Sequence, residues 1–190
     1  TGTQSYALVA DGDAGLRVVD VSTPSQPREV GAYDSPGWAL DVAVAGSYAY
    51  LAGGSGGLRV VDISTPSQPR EVGAYDTPWT TSGVALIGSY ACIADGWGGL
   101  RVVDVSAPSQ PREVGIYDPP GMAEGVDVAG GHAYVHVDST MVAGGGDHDL
   151  RVVAVWSPSQ PREVGIYKMQ EATLGVAASG SYAYVAAGSS

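Results

Sequence analysis

The 190-residue sequence predicts an all-β fold, a β-propeller of four-stranded antiparallel blades in about four repeats of roughly 42 residues. Three observations predict it. The segment Leu16-Arg17-Val18-Val19-Asp20-Val21-Ser22 returns at Leu58, Leu100 and Leu150, at spacings of 42, 42 and 50 residues. Each copy divides into four short runs rich in Val, Ile and Tyr, set apart by Gly, Pro and Ser. The 28 Gly and 12 Pro leave no window of helical length uninterrupted. Four short strands in tandem units of this length match a propeller blade. A β-sandwich, the competing all-β architecture, gives no reason for so regular a repeat.

The second unit shows the elements in order. Strand A, residues 39–45, alternates Val42 and Val44 against Ala43 and Ala45, so both its faces are apolar. That suits a sheet held between two neighbours, with small residues near a crowded axis. Strand B is 48–52 and strand C is 58–64. Strand D, 70–75, opens with Arg70 and Glu71, charges that keep an outer edge from pairing with another chain. Arg17, Asp20, Arg28 and Glu29 recur from copy to copy and read as pairing between strands C and D.

A second marker, Tyr6, Tyr48, Tyr90, His132 and Tyr182, follows the same spacing. The eight extra residues of the last interval therefore fall between His132 and Leu150. The expected organisation is one domain, 1–190, with repeats 6–47, 48–89, 90–131 and 132–181. The fourth repeat carries an insertion at 136–149, and a partial blade follows at 182–190. The chain enters at a B strand and leaves after an A and a B. Three readings stay open. The chain is part of a propeller of about six to eight blades; or residues 173–179 complete the first blade of a four-blade ring; or the terminal strands complete a blade in a neighbouring subunit.

The motif Leu16-Arg17-Val18-Val19-Asp20 and its copies, followed by Pro24-Ser25-Gln26-Pro27-Arg28-Glu29-Val30-Gly31, resembles the LVIVD-repeat family. Tyr48-Ala49-Tyr50-Leu51-Ala52 fits the strand that precedes the motif. The resemblance covers nearly the whole chain. It implies a β-propeller of the kind found in bacterial and archaeal surface or secreted proteins, with no defined chemistry. The fourth copy departs from the pattern at Ala154, Trp156 and Lys168.

Composition narrows the function. A net charge of −11 leaves no basic patch to neutralise phosphates, so nucleic acid is not an expected partner. No apolar run approaches the ~20 residues of a membrane helix, so membrane insertion is not expected either. Cys92, the only cysteine, lies in Ala91-Cys92-Ile93 and reads as a small buried hydrophobe.

Differences between the copies point to a face. The A–B turns and the C–D loops are nearly constant. The D–A loops differ (Ser35-Pro36-Gly37-Trp38, Thr77-Pro78-Trp79-Thr80, Pro119-Pro120-Gly121-Met122), and so do the B–C loops. In an up-and-down sheet these two loop sets emerge at one end, so the variation falls on one face of the disc. Trp38, Trp79, Trp97 and Met122 on that face are the candidate partner-binding residues, joined by the acids Glu124 and Glu171 near the channel mouth. Glu124, Glu171, Asp41 and Asp127 occupy non-equivalent repeat positions. No Ser/His/Asp or phosphate-loop motif accompanies them, so no enzyme and no cofactor are expected. Asp147, His148 and Asp149 in the insertion are candidate metal ligands without a metal-site spacing, and a flexible acidic loop is the preferred reading there. The expected role is a non-catalytic structural or protein-interaction module, secreted or at the cell surface, that self-assembles by strand complementation into an oligomer or filament. A carbohydrate-binding module using the aromatic residues is the alternative.

Overall fold

The computed structural model describes residues 4–142, 148–169 and 173–188, and they form strands without any helix. Blade 1 contains β1 (Tyr6–Ala10), β2 (Leu16–Asp20) and β3 (Arg28–Tyr33). Blade 2 contains β4 (Asp41–Ala45), β5 (Tyr48–Ala52), β6 (Leu58–Asp62) and β7 (Arg70–Tyr75). Blade 3 contains β8 (Gly83–Ile87), β9 (Tyr90–Ala94), β10 (Leu100–Asp104) and β11 (Arg112–Tyr117). Blade 4 contains β12 (Met122–Ala129), β13 (His132–Asp138), β14 (His148–Ala154) and β15 (Arg162–Met169). β16 (Thr173–Ser179) and β17 (Tyr182–Ala187) form a two-stranded fifth sheet. Every neighbouring pair is antiparallel and consecutive in the chain, the meander of a propeller blade.

The same irregularity recurs in each complete C–D pair. A β-bulge falls between Val18 and Val19, Val60 and Val61, Val102 and Val103, and Val152 and Val153. It bends strand D and strengthens its twist, as a blade requires towards its rim. An aspartate on strand C holds the arginine that opens strand D: Asp20–Arg28, Asp62–Arg70 and Asp104–Arg112, each at 3.1 Å. Ala154 leaves the fourth blade without this pair.

The core lies between blades rather than inside any one of them. Leu16, Leu51 and Val61 fill the space between blades 1 and 2. Tyr50, Leu58, Val60, Ile93 and Val103 fill the next. Cys92, Leu100, Val102, Val135 and Val153 fill the third. Neighbours on strand B therefore serve opposite interfaces: Leu51 faces blade 1 and Tyr50 faces blade 3. This is the physical meaning of the two apolar faces, since fully burying each such side chain contributes about 1.5–3 kcal/mol.

Two further contacts set the spacing of the blades. A Cβ placed on Gly31, Gly73 or Gly115 of strand D would lie 2.1 Å from the carbonyl oxygen of Pro66, Pro108 or Pro158 in the next blade's C–D turn. Only glycine allows that approach. Two residues on, Tyr33, Tyr75 and Tyr117 donate to Glu71, Glu113 and Glu163 of the next blade, at 2.7 Å for Tyr75.

β16 pairs with β17 and not with β1, so the four-blade ring completed by residues 173–179 does not form; the blades trace an open arc. The expected insertion at 136–149 is also narrower than its sequence limits. His136 pairs with Leu150 as Ala52 pairs with Leu58, and the rungs Val137–Asp149 and Asp138–His148 lengthen the hairpin. The inserted residues are partly strand because Val137 buries its side chain in the third core cluster.

Candidate functional site

The variable loops are fastened to one another in pairs. The B–C turn of blades 1, 2 and 3 meets the segment entering the next blade: Gly12 with Ala39, Gly54 with Thr81, Gly96 with Ala123. In each pair the two residues exchange N–H···O bonds of 2.9–3.1 Å. Gly12, Gly54 and Gly96 hold φ of +53°, +59° and +51°, the left-handed region, so the turn needs glycine there. B–C and D–A loops therefore share one face, as their order in the sheet implies.

On this fastened frame the indoles stand out. Trp38, Trp79 and Trp97 are 61, 53 and 40 % exposed. The main chain below Trp79 is anchored: its N–H donates to Asp95 Oδ1 at 3.2 Å, and the Thr77 hydroxyl donates to its carbonyl at 3.0 Å. Asp95 is fully buried and takes a second bond from Arg101 Nε at 2.8 Å. Met122 is half-buried and Glu124 exposed at the start of β12. Among the described residues the ring contacts are His132–Trp156 and His136–His148, so the three indoles project separately.

The four A strands, β4, β8, β12 and β16, line a partly open channel of about 430 Å³, with Val42, Val84, Val126, Val176, Asp41 and Asp127 on its walls. A second cavity of about 270 Å³ at its mouth is lined by Leu40, Ser82, Glu124 and Gly175 among others. The two channel aspartates tie blades together. Asp41 accepts N–H bonds from Val42 (2.8 Å) and from Val84 of the next blade (2.9 Å). Asp127 does the same with Val128 (2.7 Å) and Ala178 (2.6 Å). Burial first, and then repulsion from Asp127, push the Asp41 carboxyl above its usual range, against the pull of the two amides. Each of these carboxylates thus ties its own A strand to that of the next sheet.

Beside the mouth, the lengthened hairpin of blade 4 gathers a second set of polar groups. His136 is buried, with Nδ1 3.6 Å from Glu124 Oε2. Its ring lies 5.8 Å from that of His148, whose Nδ1 is 3.9 Å from Asp138 Oδ1. Burial, and then the neighbouring His148, hold the His136 pKa down at about 4, so its imidazole is neutral. Burial and Asp138 raise Glu124. Asp149 faces the other way and binds Arg151 at 2.6 Å. Among the described residues no three His, Cys, Asp or Glu side chains converge as metal ligands would. Of the candidate metal ligands, His148 and Asp149 thus have separate engagements, and Asp147 lies outside the described residues, as does Glu171.

Asp95, the aspartate ties and the buried His136 were not singled out by the sequence as structural groups. Asp95 stands where the first two B–C turns have Asp11 and Gly53, so the repeat does not mark it.

The sequence profile described as LVIVD repeat matches five segments, residues 4–35, 36–77, 80–119, 120–169 and 172–189. No curated protein sequence matches the chain. Among solved structures it is similar to the computationally designed Ika8 protein, with a TM-score of 0.72 at 8 % identity. The likeness covers 98 % of this chain and 54 % of that one, so the chain spans about half its length. At that identity the likeness concerns the fold alone.

Proposed function

The chain belongs to the LVIVD-repeat family, and we propose that it is a non-catalytic structural and protein-interaction module, secreted or displayed at the cell surface. It recognises a protein partner through the face that carries Trp38, Trp79 and Trp97, and it associates with further copies of itself through the ends of the arc. The observation that carries the reading is the contrast between frame and face. Blade spacing is held by repeated glycine, tyrosine and aspartate contacts, while exposed indoles sit on loops that differ from blade to blade. Large aromatic side chains on a rigid support anchor protein interfaces.

Photo-cross-linking from positions 38, 79 and 97 on intact cells of the source organism tests the reading. Cross-links to protein outside the cell are expected, with the Tm unchanged when the three tryptophans are replaced by alanine. A carbohydrate platform is the second reading, favoured by three exposed indoles on one face. A blue shift of tryptophan emission on a glycan panel, without protein cross-links, would put it in place of the first.

A further inference from the structure

We propose that the two ends of the arc are complementary docking surfaces and that the occupant of each is a second copy of this chain, joined head to tail. The proposal deepens the self-association part of the proposed function and rests on it. It is drawn from the rules that join the blades already in contact.

The first rule is steric. Gly31, Gly73 and Gly115 each receive a proline carbonyl from the next blade's C–D turn, at a distance that excludes any Cβ. Gly165 is the same position in blade 4. Among the described residues a Cβ there would meet Val152 side-chain atoms alone, at 3.7 and 3.8 Å, and no C–D turn. The turn that fits is Pro24-Ser25-Gln26-Pro27 of blade 1, which meets no strand-D glycine among the described residues.

The second rule is polar. Tyr33, Tyr75 and Tyr117 donate to the glutamate of the next strand D, which also pairs with an arginine of strand C. Tyr167 is the fourth such tyrosine and is 66 % exposed. At the opposite end, Glu29 is the one strand-D glutamate that receives no tyrosine among the described residues, and its side chain is 55 % exposed. Arg17 approaches Glu29 at 3.5 Å, within the 2.7–4.0 Å spread of the same pair in the other three blades, so the arginine is in place and only the tyrosine is missing among the described residues. One end thus offers Gly165 and Tyr167; the other offers Pro24, Glu29 and Arg17.

The strands agree with this pairing. β16 is an A strand, and β1–β3 are a B–C–D set that lacks an A strand. A second copy's β1 beside β16 makes a complete blade, with β17 displaced. β17 is the exchangeable member, for it contributes no described side chain to a core cluster, whereas β1 packs Leu8 and Ala10 against the Leu51 cluster. Two copies joined at both ends also return a closed heterologous ring.

The experiment uses sedimentation velocity on the 190-residue chain across micromolar to near-millimolar concentrations, with Gly165→Ala, Gly125→Ala and the triple Trp38→Ala/Trp79→Ala/Trp97→Ala variant in parallel. The wild type is expected to form dimers. Gly165→Ala should weaken association at least tenfold while keeping the monomer's Tm, since its Cβ has room in the single chain and none beneath a docked turn. Gly125→Ala and the triple variant should associate like the wild type. Mixing Tyr167→Cys chains with Glu29→Cys chains should give mixed dimers on treatment with a short bismaleimide, whose span replaces the two side chains removed, and neither variant should give them alone. A wild type that stays monomeric, or Gly165→Ala chains that associate as well as wild type, would overturn the proposal. Association lost only in the triple variant would also overturn it, and would assign self-recognition to the variable face instead.

Discussion

Replacing Gly73 by alanine tests whether main-chain contact sets the spacing between blades. The added Cβ would sit 2.1 Å from the Pro108 carbonyl oxygen and 3.0 Å from Ser109 Cα. Both belong to the backbone of the adjoining blade, so no side chain can turn aside. Blades 2 and 3 must part by about 1 Å, and a gap of that size forfeits roughly a quarter to a half of the dispersion attraction of the atoms it separates. Those atoms include Tyr50, Leu58, Val60, Ile93 and Val103. Overpacking of this kind costs about 1–3 kcal/mol, and a main-chain obstacle places Gly73→Ala at the upper end. The loss of chain freedom in the unfolded state returns only about 0.4–1 kcal/mol. Gly125→Ala is the control, because a Cβ there meets nothing within 4 Å and its φ lies outside the left-handed region. Urea unfolding followed by circular dichroism reads both variants. Gly73→Ala should lower the midpoint by about 1 M, and Gly125→Ala should leave it level or slightly raised. Equal midpoints for the two variants would refute the reasoning.

Three further outcomes are expected. A double-mutant cycle between Tyr75→Phe and Glu113→Gln should return a coupling of about 1 kcal/mol, below the usual range for a bond to a charged group because both partners reach solvent; a coupling within error would remove this tie. The same tyrosines set an alkaline limit. Burial first, then the glutamate partners, raise Tyr75 and Tyr117 to about 12, so the stability they add is present below pH 10 and is lost as pH climbs from 10 towards 12. Tyr117→Phe should flatten that decline in the urea midpoint. On the acid side, the hydroxyl and then the amide of Ser22, Ser64 and Ser106, together with strand-D arginines, hold Asp20, Asp62 and Asp104 below the usual carboxylate range. Their contribution is present above pH 3.8 and lost as pH falls through their lowered values, and Asp62→Asn should reduce the acid slope. His136, neutral in the fold and titrating at about 4, should cost stability as pH drops from 6.5 towards 4, with no such slope in His136→Gln; an NMR titration that places His136 near 6.5 would contradict this.

Much of the frame was legible because each blade repeats its code. Strands B and D of the second unit match the expected 48–52 and 70–75, and the two apolar faces of strand A meet opposite interfaces. The Asp–Arg pairing of strands C and D was also readable, since both residues recur at fixed spacing and lie on paired strands. What joins one blade to the next was not. Tyr75 and Glu113 are 38 residues apart, and the repeat marks both without saying that they touch. Asp41 and Asp127 escaped for another reason: they stand at different strand positions, so comparing copies finds no common role. The insertion read as an acidic loop because Asp147, His148 and Asp149 dominate its composition. The burial of its first rungs depends on Val137 joining the cluster between blades 3 and 4, and on His136 being covered on the opposite side of the strand, tertiary facts that local sequence does not carry.

The lone thiol acquires a use from its position. Cys92 lies on β9, sealed between blades 3 and 4, and burial pushes its pKa up to about 12. Fraying at either tip of such a stack leaves it untouched, whereas separation of the central layers bares it to any disulfide reagent. Its labelling rate is therefore a built-in clock for the deepest opening of the molecule, readable without an engineered reporter.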